Sequence, residues 1–96
     1  MFFMENTIKA IITVVGSDKI GIIAKVSGFL AERNINIEDI NQTILSGNFV
    51  MMMMVNFSSS TKDLEDVKKG LAEMGASMNV SISLMHEKVF SAMHGI

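Results

Sequence analysis

The sequence predicts an α+β chain of order βαββαβ, a two-layer sandwich with two helices on one face of a four-stranded antiparallel sheet. Three observations carry this. Segments rich in β-branched and apolar residues at 7–15, 35–45, 49–57 and 78–85 have strand character. Segments 20–33 and 61–74 switch to apolar spacings of three and four. Glycine and serine clusters separate them. With 96 residues the chain makes one domain, read as a short extension over 1–6, the folded domain over 7–85 and a tail over 86–96 with helical spacing.

The first segment, "TIKAIITVV", is apolar in both alternating sets, which fits a central strand. Ile22, Ile23, Val26, Phe29 and Leu30 then form one helical face, with Ser17 or Asp18 available as its cap and Gly28 read as a point of close packing on the sheet. In "NINIEDINQTIL" the isoleucines change parity after Ile37, which predicts a bulge near Glu38 and Asp39. "SGN" at 46–48 is a turn, and "FVMMMMVNF" is again apolar on both sides, hence central. The second helix, 61–74, sets Leu64, Val67, Leu71 and Met74 on one face, with a cap at Ser60 or Thr61 and Gly75 as its stop. Residues 78–85 alternate cleanly, as a half-buried edge strand does. Val89, Phe90 and Met93 give the tail its helical spacing. The architecture is ferredoxin-like, which leaves the function open.

Composition removes several classes. A net charge of −2 and a single arginine, Arg33, do not supply the clustered cations that nucleic acid requires. The absence of cysteine removes disulfides, thiolate metal sites and iron–sulfur ligation. No apolar run approaches the ~20 residues of a membrane span, and "MFFMEN" lacks the basic and apolar regions of a signal peptide, so a cytoplasmic protein is expected. With 49% hydrophobic and 19% charged residues, the chain holds more apolar material than a small two-layer domain hides, which favours self-association.

The loop "GSDKIG" joins the first strand to the first helix. Its glycine spacing is that of a phosphate cradle, but Ile22 and Ile23 stand where a triphosphate site needs Lys and Ser or Thr. What remains is a strand-to-helix turn with backbone donors, suited to a small anion such as a carboxylate.

The segment "TVVGSDKIGIIAKVSGFLAERNINIEDINQTI" resembles the signature of ACT domains, regulatory modules that commonly bind amino acids. With "GNFVMMMMVNF" and "HEKVFSAMH", the chain is similar to the stand-alone UPF0237 family, akin to the glycine cleavage system repressor. The resemblance implies a ligand site at the first strand-to-helix loop, often completed by the second strand of a neighbouring domain. Carried onto this chain, the loop residues are Gly16, Ser17, Asp18, Lys19, Ile20 and Gly21, with backbone donors at Ile22 and Ile23. The second-strand contributors are Asn41, Gln42 and Thr43. Asp18 is either a helix cap or an acceptor for the ligand's ammonium, and the two roles compete. The implied function is a homodimeric sensor of an amino acid. A ligand-free adaptor that docks a partner protein through its apolar sheet face is the alternative.

Met51, Met52, Met53 and Met54 suggest a soft-metal site, but neighbours on a strand point to opposite faces, so the four do not converge. They are expected in the core and, together with Phe90 and Met93, at an interface, with the parity left open. His86 and His94 lie about 12 Å apart if the tail is helical, too far to share one ion within a chain. No metal, cofactor or catalytic activity is expected, since nothing sets a histidine and a carboxylate beside a serine.

Overall fold

A computed structural model describes residues 8–17 and 19–93. The strands β1 (Lys9–Gly16), β2 (Asn36–Leu45), β3 (Asn48–Asn56) and β4 (Ser81–His86) form one antiparallel sheet in the order β2-β3-β1-β4. Helices α1 (Lys19–Glu32) and α2 (Leu64–Met78) pack on one of its faces, and a short α3 (Glu87–Met93) follows β4 directly. β1 and β3 occupy the centre, where apolar residues on both parities belong.

The core lies between sheet and helices. Ala10, Ile12 and Val14 of β1, Met51, Met53 and Val55 of β3, Ile22, Val26 and Leu30 of α1, and Val67 and Leu71 of α2 are all at most 1% exposed. Burying such side chains stabilises the fold by about 1.5–3 kcal/mol each. The alternate residues of the central strands face away from the helices. Across the face opposite α1 and α2 the register places Asp39, Met54, Ile11 and Met85 in one row, Asn41, Met52, Thr13 and Ser83 in the next, and Thr43, Val50, Val15 and Ser81 in a third.

The β2–β3 pairing shifts register between Ile37 and Asp39, the bulge that the parity change required. It keeps Ile37 against the core on one side and turns Asp39, Asn41 and Thr43 to the open face on the other. A two-residue turn at Ser46 and Gly47, with φ of 51° and 80°, closes the hairpin as the twist of the strands demands.

Three local expectations are corrected. Helix α2 is capped by Asp63, whose carboxylate accepts from the Asp66 N–H at 2.9 Å, while Ser60 and Thr61 bond within the preceding loop and to the Arg33 carbonyl. The helix does not stop at Gly75. It runs on to Met78 and ends at Asn79 in the left-handed region, so Met78 is helical and β4 begins only at Ser81. Gly75 is buried against β4, where an added Cβ would stand 2.8 Å from the Val80 carbonyl oxygen. Gly28, in contrast, is solvent-exposed, and a Cβ there would meet nothing within 4 Å. Gly28→Ala is therefore expected to stabilise the protein by up to about 1 kcal/mol, readable as a higher midpoint of thermal unfolding.

Candidate functional site

The site is laid out from the end of β1. Gly16 pairs with Phe49 and sits so close to Val80 and Ile22 that a Cβ would fall 2.5 and 2.8 Å from their methyl carbons. A side chain at this position would push the start of α1 away from the sheet. Ser17 is an exposed bend and α1 begins at Lys19. Asp18 and the side chain of Lys19 lie outside the described residues. Ile20 is 81% exposed at the mouth of the loop, Ile22 is fully buried beneath it, and Ile23 packs against the core.

The N–H groups of a helix's first turn have no carbonyl partner within the helix, and α1 starts at Lys19. Ile23 is the fifth residue, where the N–H faces the carbonyl four residues back. The donor set therefore ends before Ile23. A carboxylate is favoured at this helix end by the dipole as well as by the donors.

Asn41, Gln42 and Thr43 all lie exposed on β2. They border two hollows, one of about 210 Å³ between β2 and Met52 of β3, the other of about 160 Å³ beside Ile44 and Phe49. Within one chain they do not join the loop. β3 lies between β2 and β1, so about 10 Å of sheet separates the two halves. Among the described residues no strand pairs with the outer edge of β2, and its residues 40–45 carry no charge while Ile40, Ile44 and Leu45 are 41, 63 and 64% exposed.

The expected interface methionines divide by parity. Met51 and Met53 are core residues under the helices, so a second chain cannot reach them; Met52 and Met54 are half-buried on the open face. Phe90 is half-buried on α3 and Met93 is 66% exposed. His86 accepts a hydrogen bond at Nδ1 from the Lys88 N–H, 3.0 Å away, and His94 lies outside the described residues. Among the described residues no three histidines or carboxylates gather as a metal-holding group.

The charged groups cluster at the other end of the sheet. There the Asn56 amide donates to Glu38 at 2.8 Å and the Lys9 ammonium lies 3.0 Å from the same carboxylate. The Asn56 hydrogen bond first, and Lys9 second, hold the Glu38 carboxyl below its ordinary value. Its contribution to stability is thus present above the pKa of an unfolded glutamate, about 4.3, and is lost as pH falls through the lower folded value. The melting difference between the wild type and Glu38→Gln at neutral pH should shrink below about pH 4. A difference that stays constant into acid would show that the carboxylate's charge adds nothing there. Arg33 is committed at that same end: it bonds the Phe29 carbonyl at 2.9 Å and stacks 3.6 Å from the Phe29 ring, far from the loop.

Sequence reasoning missed a hollow larger than those beside β2. It measures about 480 Å³ and lies at the end of the sheet opposite the loop, among Asn34, Asn36, Asn56, Ser58 and Ser59. Asn34 follows α1 in the left-handed region, with a φ of 60°, Asn36 opens β2, Asn56 ends β3, and Ser58 and Ser59 belong to the β3–α2 loop. The clue in the sequence was the density of asparagine and serine in segments that are distant along the chain.

Residues 9–85 match the ACT domain family, a small-molecule regulatory module, and the βαββαβ order of the chain agrees with it. The chain belongs to the UPF0237 family of ACT-domain proteins. A UPF0237 protein of Listeria monocytogenes is 49% identical over 86 residues, covering 90% of this chain and 97% of the relative. One from Clostridium perfringens is 48% identical over 87 residues, covering 91% and 98%. Among solved structures, an ACT domain protein from Streptococcus pneumoniae superposes with a TM-score of 0.77 at 44% identity, over 88% of this chain and 96% of that one. The fold also recurs in a formyltetrahydrofolate deformylase from Pseudomonas syringae, with a TM-score of 0.72 at 22% identity over 88% of this chain and 29% of that one. No helix of the described residues is long and apolar enough to cross a membrane.

Proposed function

We propose that this protein is a cytoplasmic, homodimeric metabolic sensor. It binds an amino acid between the β1–α1 loop of one subunit and Asn41, Gln42 and Thr43 of the other. One observation carries this reading: the two halves of the candidate site are about 10 Å apart within a chain, and the second half sits on an unpaired, uncharged strand edge. Such an edge is a template for another strand. That a neighbour's second strand completes the loop is what the ACT resemblance implies; along the sheet itself a neighbour's β2 stands one strand farther from β1 than the chain's own. The ligand's carboxylate takes the first-turn donors of α1 and its ammonium takes Asp18; of the three β2 residues only Gln42, opposite Met51, shares the helix side of the sheet, while Asn41 and Thr43 stand on the other face.

The test is thermal unfolding of the purified protein against single amino acids at millimolar concentration, with glycine in the panel because of the resemblance to the glycine cleavage repressor. A ligand at 100 times its dissociation constant adds about 2.7 kcal/mol, a shift of several degrees in a domain of this size. Asp18→Ala should abolish that shift while costing only the ~1 kcal/mol of a cap. A panel without any shift would remove the sensor reading. The adaptor would then be favoured, because the sheet face opposite α1 and α2 offers a partner protein an apolar surface.

A further inference from the structure

The hollow at the end of the sheet opposite the β1–α1 loop measures about 480 Å³, within the roughly 300–1,000 Å³ of small-molecule sites. Two walls form it. One is the turn that leaves α1, with Asn34 and the first residue of β2, Asn36; the other is the end of β3 and the loop after it, with Asn56, Ser58 and Ser59. We infer that this hollow binds a small neutral polyol or sugar, a molecule whose polar groups are hydroxyls. The site is separate from the candidate amino-acid site and stands without it.

The frame of the hollow is fixed before a ligand arrives. The Thr61 N–H donates to the Arg33 carbonyl at 2.9 Å, which ties the segment carrying one wall to the segment carrying the other. The Ser60 N–H donates to the Phe57 carbonyl at 3.0 Å and closes a turn around Ser58 and Ser59. Asn56 is held at both ends of its amide: Nδ2 donates to Glu38 and Oδ1 accepts from the Ser58 N–H, each at 2.8 Å. On the first wall the Ile35 N–H donates to the Leu30 carbonyl at 3.0 Å, across the left-handed Asn34. Side-chain capacity is what remains. Among the described residues the amides of Asn34 and Asn36 and the hydroxyls of Ser58 and Ser59 form no hydrogen bond, and all four side chains are exposed. A frame already in place lowers the ordering cost of binding.

The chemistry of these groups selects the ligand. Amide and hydroxyl side chains each donate and accept, as the hydroxyls of a polyol do, so every contact can be paired in either sense. A charged ligand finds no counter-charge. No charged side chain lines the hollow, Lys9 and Glu38 beside Asn56 neutralise each other, and Arg33 is committed to the Phe29 carbonyl and ring. An apolar ligand would leave covered amides unpaired. A nucleobase lacks an aromatic face to stack on, since no aromatic side chain is among the described lining residues. Ala31 and Ile35 supply carbon surface for the C–H groups of a sugar.

Titration of the isotope-labelled full chain with ribose, glucose, galactose and myo-inositol at millimolar concentration, followed by amide NMR, tests this. At least one of the four should give saturable shifts centred on the side-chain amides of Asn34, Asn36 and Asn56 and the backbone of Ser58 and Ser59. Saturation separates binding from the general effect of sugars as excluded osmolytes. Asn34→Gly removes one amide while suiting the left-handed backbone, and Ser59→Ala removes a hydroxyl from the other wall. Each should raise the dissociation constant about three- to tenfold, as the loss of one neutral hydrogen bond does, with circular dichroism unchanged. Four silent titrations overturn the proposal. So do shifts that grow linearly, that spread over the whole surface, or that both variants leave unaltered. Saturable binding of phosphate or glycine at these residues, with the four polyols silent, overturns it as well.

Discussion

Met53→Ala should lower the unfolding free energy by about 2–5 kcal/mol, because the side chain is 1% exposed and its loss leaves a cavity between β3 and the helices. In a domain of this size that is a fall in melting midpoint of at least about 8 °C. Met54→Ala removes the same atoms one residue along, from the half-buried open face. When the chains are dilute and unassembled, it should cost less than half as much. Chemical denaturation of both variants across a range of protein concentrations checks this. The Met53 penalty persists on dilution, whereas part of the Met54 penalty appears only where assembly adds to stability. Equal penalties on dilution would mean that the parity of β3 is misassigned.

Gly75→Ala should destabilise by about 1–3 kcal/mol even though alanine is the better helix former. The new Cβ would stand 2.8 Å from the Val80 carbonyl oxygen and 3.2 Å from the Ile82 side chain. The first of these contacts is backbone and does not swing aside. That same stretch ends the helix: the Val80 N–H donates to the Gly75 carbonyl at 2.9 Å and the Asn79 N–H to the Ala76 carbonyl. A methyl group at 75 therefore disturbs the packing of α2 on β4 together with the cap that turns the chain. Thermal melts of Gly75→Ala and Gly28→Ala should move in opposite directions. If both variants were stabilised, α2 would not approach β4 as closely as the structure shows.

The two glycines mark where reading along the chain failed. A glycine near the end of a helical pattern is most simply a stop, yet Gly75 is not one; Asn79 ends the helix instead, since asparagine also tolerates the left-handed region. Gly28 was assigned to close packing that Gly75 in fact provides. Each residue's meaning depends on what lies across from it: Val80 and Ile82 for Gly75, and nothing for Gly28. The same holds for the candidate site. Its loop was legible because the switch from strand to helix period falls on residues 16–20. The 10 Å gap to Asn41–Thr43 was not, because that distance arises from strand order.

The sequence by itself determined the βαββαβ order, the bulge after Ile37, the turn at Ser46–Gly47 and the central places of β1 and β3, all of which follow from local periodicity and turn chemistry. Only the tertiary structure decided that Met51 and Met53 are core while Met52 and Met54 face outward, that α2 passes Gly75, and that polar side chains from three segments line a hollow at the far end of the sheet. The physical reason is that a period records which residues of an element share a face. Where both faces are equally apolar, as in "FVMMMMVNF", only the helices that land on one of them distinguish inside from outside.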